Sequence, residues 1–266
     1  MLVVAERLNS TRKSVAPAIK ERNTEFVIKE ANDQVAAGGD YLDCNAATVG
    51  PEAEPDTLCW MVETVQGAVD KPCALDSPNA AAIEKALAVH KGTAMLNSIT
   101  AEKAKYDALM PLARDHQTKL IALAMDDSGM PKTAGERIIV ARKLIDALVG
   151  DGIELRNIFL DPLVFPVSTD PQNGHHVLNT LRAIKEAYPQ VNTIGGLSNV
   201  SYGLPERFIV NRAFAVLCLG AGLDAAIIDP LDKKLRSLVY AAEAILGKDD
   251  YCMNYVTAAR EGKLER

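Results

Sequence analysis

Acids and amides recur along the chain just beyond short apolar runs: Glu6 and Asn9, Asp43 and Asn45, Asp76, Asn97, Asp126, Asp161, Ser198 with Asn199, and Asp229. A carboxylate accepts two parallel hydrogen bonds from an amidine-like edge, and an asparagine offers both donor and acceptor. Such a set suits a ligand rich in N–H donors and ring nitrogens, such as a pterin or a guanine-like ring. No Lys, His or Cys stands at these positions, so Schiff-base, imidazole-base and thiolate chemistry lack a carrier there. Any single member also suits a turn or a helix cap. Eight occurrences in one chain speak for a common site.

Eight apolar runs carry these residues, at 2–5, 41–42, 73–75, 94–96, 120–125, 158–160, 193–197 and 225–228. Between them, 25–37, 56–69, 80–89, 101–113, 136–149, 175–188, 207–219 and 231–246 place apolar residues at three- and four-residue spacing, the helical period. Thr133 and Glu136 form a capping-box pattern, and Ser77-Pro78 reads as a helix start. Gly38-Gly39 and Gly150 stand where helices close. Eight strand–helix units in 266 residues are about 33 residues each, the size of one βα repeat. The expected fold is an α/β single-domain (β/α)8 TIM barrel over 1–266. In such barrels the active site gathers where the strands end. A doubly wound open sheet opens with a glycine-rich first turn, whereas this one is Glu6-Arg7-Leu8-Asn9.

Composition narrows the partners. With 29 Lys+Arg against 35 Asp+Glu, the formal charge is −6 and no basic run exists, which argues against nucleic acid and anionic membrane surfaces. The apolar stretch 213–228 is broken by Asp224 and two glycines, so neither a membrane span nor a leader is expected. Five cysteines without C-x-x-C spacing suit a reducing compartment, and a cytoplasmic location is expected. Gly220-Ala221-Gly222 follows a helix and precedes a strand, the reverse of dinucleotide-binding context. His175-His176 would point to different faces of a helix, and no third metal ligand is visible, so no metal is expected.

Six segments taken in order resemble the pterin-binding TIM barrels. They are Glu6-Arg7-Leu8-Asn9, Gly39-Asp40 with Asp43 and Asn45, Leu75-Asp76-Ser77, Leu96-Asn97-Ser98, Leu160-Asp161-Pro162-Leu163 and Gly196-Leu197-Ser198-Asn199-Val200-Ser201. More narrowly, they are similar to the methyltetrahydrofolate:corrinoid protein methyltransferases, including the folate module of cobalamin-dependent methionine synthase. The resemblance spans essentially the whole chain. It implies an enzyme moving a methyl group between N5 of tetrahydrofolate and the cobalt of a corrinoid on a separate protein, in either direction.

By the same resemblance, Asp76, Asn97 and Asp161 would hold the pyrimidine edge, and Asn199 would lie beside N5. The Asn199 amide can donate to a neutral nitrogen or accept from a protonated one without ionising. Gly196 and Ser198 would shape the pocket, Arg207 would stand at its mouth, and Ile227 would form a wall. Glu6, Asn9, Asp43 and Asn45 are further candidates. Tyr202 occupies a position where some relatives carry an amide, and Asn45 is followed by Ala46 rather than glycine.

Tetrahydrofolate or 5-methyltetrahydrofolate would be the substrate. No D-x-H-x-x-G corrinoid motif is present, Asp115-His116-Gln117 failing the spacing, so the cobalamin would come on a transient partner. A homodimer is also implied, through 213–222 or 251–259. Two alternatives stay open. One is a dihydropteroate synthase-like condensing enzyme, whose family carries a Lys after strand seven and Arg-x-His after strand eight; here those places read Leu197-Ser198-Asn199 and Ile228-Asp229-Pro230. The other is a non-catalytic folate-binding subunit.

Overall fold

The computed structural model describes residues 1–265. Among them, β1 (Leu2–Ala5), β2 (Tyr41–Cys44), β3 (Cys73–Asp76), β4 (Met95–Ala101), β5 (Lys119–Asp126), β6 (Ile158–Asp161), β7 (Asn192–Thr193) and β8 (Ala225–Ile228) form one parallel sheet. The strand order is β7-β6-β5-β4-β3-β2-β1-β8. A bridge between Gly196 and Ile227 brings the two ends together. The chain is a (β/α)8 TIM barrel.

Helices α1 (Ala16–Lys20), α2 (Thr24–Ala36), α3 (Glu54–Ala68), α4 (Ala80–Val89), α5 (Lys103–Asp115), α6 (Ala134–Gly150), α7 (Asn173–Ala187), α8 (Arg207–Gly220), α9 (Lys233–Ile245) and α10 (Met253–Arg260) surround the sheet. The expected eight helices match α2 to α9 within a few residues. No helix among the described residues is long and apolar enough to cross a membrane.

Alternation along the strands builds two stacked inner layers. Val4, Tyr41, Ala74, Met95, Ile121, Phe159, Ile194 and Ala225 meet in one buried cluster, nearly one per strand. Two residues further along, the same face must carry Glu6, Asp43, Asp76, Asn97, Leu123, Asp161, Gly196 and Ile227. The apolar layer thus plugs the barrel and becomes the floor beneath a mostly polar one. The opposite face of each strand, with Leu42, Leu75, Leu96, Leu120 and Leu160, packs against the helices in the main core.

Local details depart from the sequence expectation. The seventh strand has two residues rather than the expected 193–197, because the chain turns at Gly196 into a 3-10 segment, Leu197–Ser201. The fourth runs on to Ala101, with register shifts after Asn97. The capping box of Thr133 and Glu136 is present, but α4 is capped by Asn79, since the Ser77 hydroxyl donates to Glu54 at 2.6 Å. Gly150 is the last helical residue of α6, and Gly152, at φ 94°, takes the left-handed position beyond it. His175 and His176 lie in the first turn of α7, and no group of His, Cys, Asp and Glu with metal-ligand geometry occurs among the described residues.

Candidate active site

A cavity of about 610 Å³ opens at the C-terminal ends of the strands. Of the residues expected at the site, Glu6, Asn9, Asp43, Asp76, Asn97, Gly196, Ser198, Asn199, Arg207 and Ile227 line it. The strand ends bring them together from β1, β2, β3, β4 and β8, and the turn after β7 supplies the rest.

One wall is a cross-linked set of acids and amides. Asn9 Nδ2 donates to Asp43 Oδ2 at 3.4 Å and to Asp76 Oδ2 at 3.2 Å. Asn97 Nδ2 donates to Asp43 Oδ1 at 3.1 Å, and Asn45 Nδ2 donates to Asp76 Oδ2 at 3.0 Å. Ser10 fixes the other end of Asn45, its hydroxyl donating to Oδ1 at 2.7 Å. Asn45 therefore does not line the cavity but braces a carboxylate that does.

Burial raises both acids: Asp76 is pushed up to about 6, and Asp43 well above the ordinary carboxylate range, with the neighbouring Asp76 charge adding to the effect. Two buried carboxyls side by side resist ionising together, and a cationic or N–H-rich ligand would favour their charged forms.

The opposite wall is the 3-10 turn after β7. A Cβ on Gly196 would stand 3.4 Å from Asn199 Nδ2, so the turn folds this amide back over the strand end. Arg207 clamps the turn from the start of α8: Nη2 donates to the Ser198 carbonyl at 2.8 Å and Nε to the Ser201 hydroxyl at 3.0 Å. Tyr202 lies outside, 68% exposed, with the Arg207 guanidinium 5.8 Å from its ring centroid.

Asp161 occupies the polar layer but is buried behind the cavity lining. It accepts from the Leu163 amide at 2.8 Å and from the Gly196 backbone, tying β6 to the β7 turn. Burial raises it to about 6 against these bonds and the opposing charge of Arg137. Arg137 is itself fully buried, with no hydrogen-bond partner at any guanidinium nitrogen, and stacks 5.1 Å from the Phe165 ring centroid.

Several lining residues had no strand-end signature in the sequence: Thr11, Arg12, Phe208, Asn211, Asp232 and Leu235. Arg207, Phe208 and Asn211 fall in the first turns of α8, and Leu235 in that of α9. The first helical turn after a strand faces the same mouth as the strand end, and that position is a readable signal. Asn211 lines the cavity, and its Oδ1 is buried without a hydrogen-bond partner.

Comparison with known proteins agrees with this geometry. A family model described as pterin binding enzyme matches residues 5–229. The chain belongs to the pterin-binding enzymes. It is similar to the methylcorrinoid:tetrahydrofolate methyltransferase of Eubacterium limosum, at 32% identity over 266 residues, covering 99% of this chain and 98% of that protein. A methionine synthase of Mycobacterium tuberculosis is 28% identical over 241 residues, 86% of this chain but 20% of its own length. The narrower resemblance carried by the six motifs is thereby shown.

Among solved structures, a 7,8-dihydropteroate synthase from Vibrio fischeri superposes with a TM-score of 0.73 at 18% identity, covering 92% of this chain and 93% of that one. The Yersinia pestis dihydropteroate synthase with a pterine-sulfa conjugate gives 0.71 at 17%, covering 93% of each. At such identity the likeness shows the barrel fold alone.

Proposed function

We propose that this protein moves a methyl group between a corrinoid carried by a separate protein and N5 of tetrahydrofolate. The observation that carries the proposal is the end-to-end similarity to a methylcorrinoid:tetrahydrofolate methyltransferase, in a chain where five of the six matched motifs supply residues to one cavity. Asp76 and Asn97 would bind the pyrimidine edge of the pterin, with Asp43, Asn9 and Asn45 fixing their orientation. Asp161 would act with them from behind the Gly196 strand end. Asn199 would face N5 from the opposite wall, held there by Arg207, while Ile227 and Ser198 would flank the ring. Asn211, with its unpartnered oxygen, would become a ligand acceptor only if its side chain turned toward the cavity it lines.

In this scheme Asn199 orients N5 and follows its change between neutral and protonated forms, a preorganised polar contribution to the transition state. The fit to a pterin rests on the donor set: acceptors outnumber donors on the β2–β3 wall, as an amidine-like edge requires. The dihydropteroate synthase alternative is less well supported, since its expected cations after β7 and β8 are replaced by Ser198-Asn199 and Asp229-Pro230.

The corrinoid partner would dock over the open mouth. A homodimer would form through α8 and α9, whose shared groove of Ile209, Ala213, Val216, Leu217 and Leu238 is apolar apart from Arg212, with Ile209 and Leu217 both more than half exposed. This favours 213–222 over 251–259 as the contact. Five free thiols fit a cytoplasmic setting. The test is calorimetric titration with tetrahydrofolate and 5-methyltetrahydrofolate beside Asp161→Ala. Binding by the parent and its loss in the variant are expected; a folded parent that binds neither would overturn the proposal.

A further inference from the structure

Methylation of tetrahydrofolate at N5 releases a proton, and the reverse transfer consumes one. Asn199 cannot hold that proton, because an amide does not ionise at ordinary pH. We propose that Glu6 is the group that takes up and returns the N5 proton, with the Ser198 hydroxyl linking it to the Asn199 side of the cavity. This inference rests on the methyl-transfer reading above.

Elimination among the carboxylates lining the cavity points to Glu6. Asp43 accepts from Asn97 and Asn9, and Asp76 from Asn45 and Asn9. Asp229 pairs with Arg7 at 3.0 Å and Arg12 at 3.5 Å, and also accepts from the Leu231 amide. Asp232 takes Arg212 at 2.8 Å together with the Leu235 amide.

Glu6 has looser ties. Its Oε2 accepts from the Ser198 hydroxyl at 3.5 Å, and its Oε1 lies 3.8 Å from Arg12. Facing it are Arg12 beyond β1, Asp229 beyond β8, Arg207 at the start of α8, and Asp43 at the end of β2. Burial, with the Asp229 charge, raises its carboxyl to about 7 against the lowering effect of Arg12, Ser198 and Arg207. A proton acceptor works best with its midpoint near the working pH.

The step balances. The N5 lone pair forms the new N–C bond, the cobalt–carbon pair stays with the corrinoid, and the N5 proton passes by way of Ser198 to Glu6 Oε2. In the reverse direction protonated Glu6 returns it as the N–C bond breaks.

The test compares the parent, Glu6→Gln and Glu6→Asp under anaerobic conditions from pH 5.5 to 9, with tetrahydrofolate and methylcobalamin for one direction and 5-methyltetrahydrofolate and cob(I)alamin for the other. Transfer into tetrahydrofolate needs the carboxylate and should rise with pH through about 7. Transfer out of 5-methyltetrahydrofolate needs the acid and should fall through the same midpoint. Glu6→Gln should lower the forward rate at pH 8 by roughly 10²-fold or more and abolish that limb, while calorimetric affinity for tetrahydrofolate stays within about threefold. Glu6→Asp should recover part of the rate, and carbon-13 NMR of labelled glutamate should report the Glu6 titration without turnover. A Glu6→Gln enzyme with the parental rate and pH profile would overturn the role of Glu6 alone. A parent without transfer in either direction would overturn the methyl-transfer reading and the role of Glu6 together.

Discussion

Asp76 sits where folding stability and ligand binding oppose one another, and replacing it by asparagine separates the two. Its Oδ2 accepts from Asn9 at 3.2 Å and Asn45 at 3.0 Å, and burial lifts its midpoint from 3.8 to about 6. A carboxyl whose midpoint is higher folded than unfolded contributes full stability below its unfolded value and loses it as pH rises through the folded one. At about 1.4 kcal/mol per pH unit, the displacement makes the ionised form cost about 3 kcal/mol above pH 6. Asp76→Asn keeps an oxygen for the two amide donors and removes the charge. The free variant should therefore match the parent near pH 4 and melt roughly 6–12 °C higher at pH 8. It should also lose the charge-assisted bond to the pterin edge, about 1.5–3 kcal/mol, or on the order of 10- to 100-fold in Kd. Thermal melts from pH 4 to 8 with calorimetric titration of tetrahydrofolate read both effects. A variant no more stable than the parent at pH 8, or one that binds folate as tightly, would refute the assignment of Asp76 as a strained ligand-binding carboxylate.

Asn199→Ala should reduce methyl transfer on the order of 10²-fold while leaving tetrahydrofolate affinity within a few-fold, as for loss of one preorganised polar group; single-turnover kinetics beside calorimetry checks this. Arg207→Ala should free the turn at 197–201, which it clamps through Ser198 and Ser201, lowering kcat and raising the limited-proteolysis rate there. Arg137→Met removes a buried guanidinium without hydrogen-bond partners and should leave the melting temperature equal or higher. With Arg137 gone, Asp161 should titrate above about 6, seen as weaker folate binding at pH 7 that is independent of the change in stability. Leu217→Glu, at an exposed position of the α8–α9 groove, should give a monomer by light scattering with its fold intact.

The barrel was legible because five of its eight strands, β1, β2, β3, β4 and β6, obey one rule, an apolar residue at the floor and a polar one two positions later. Val4 with Glu6, Tyr41 with Asp43, Ala74 with Asp76 and Met95 with Asn97 show it directly. β7 hid its true length because Gly195 and Gly196 let an apolar run leave the sheet early and become the turn that carries Asn199. Side-chain depth was not legible either. Asp161 has the same strand-end pattern as Asp76, yet backbone amides of Leu163 and Gly196 occupy it. Asn45 likewise reads as a lining residue but serves Asp76 from behind. Arg7 belongs to the first matched motif and still turns away, pairing with Glu30 at 2.7 Å on α2. Such outcomes depend on which of several neighbours reaches a group first, and spacing along the chain does not encode that.

The most direct test of the central claim is to mix the protein anaerobically with tetrahydrofolate and methylcobalamin, following cob(I)alamin by absorbance and 5-methyltetrahydrofolate by chromatography. Equal amounts of both products are expected, formed faster than without protein and suppressed in Asn199→Ala. Tight tetrahydrofolate binding with no methyl transfer in either direction would contradict the methyltransferase assignment and leave a folate-binding barrel of another function.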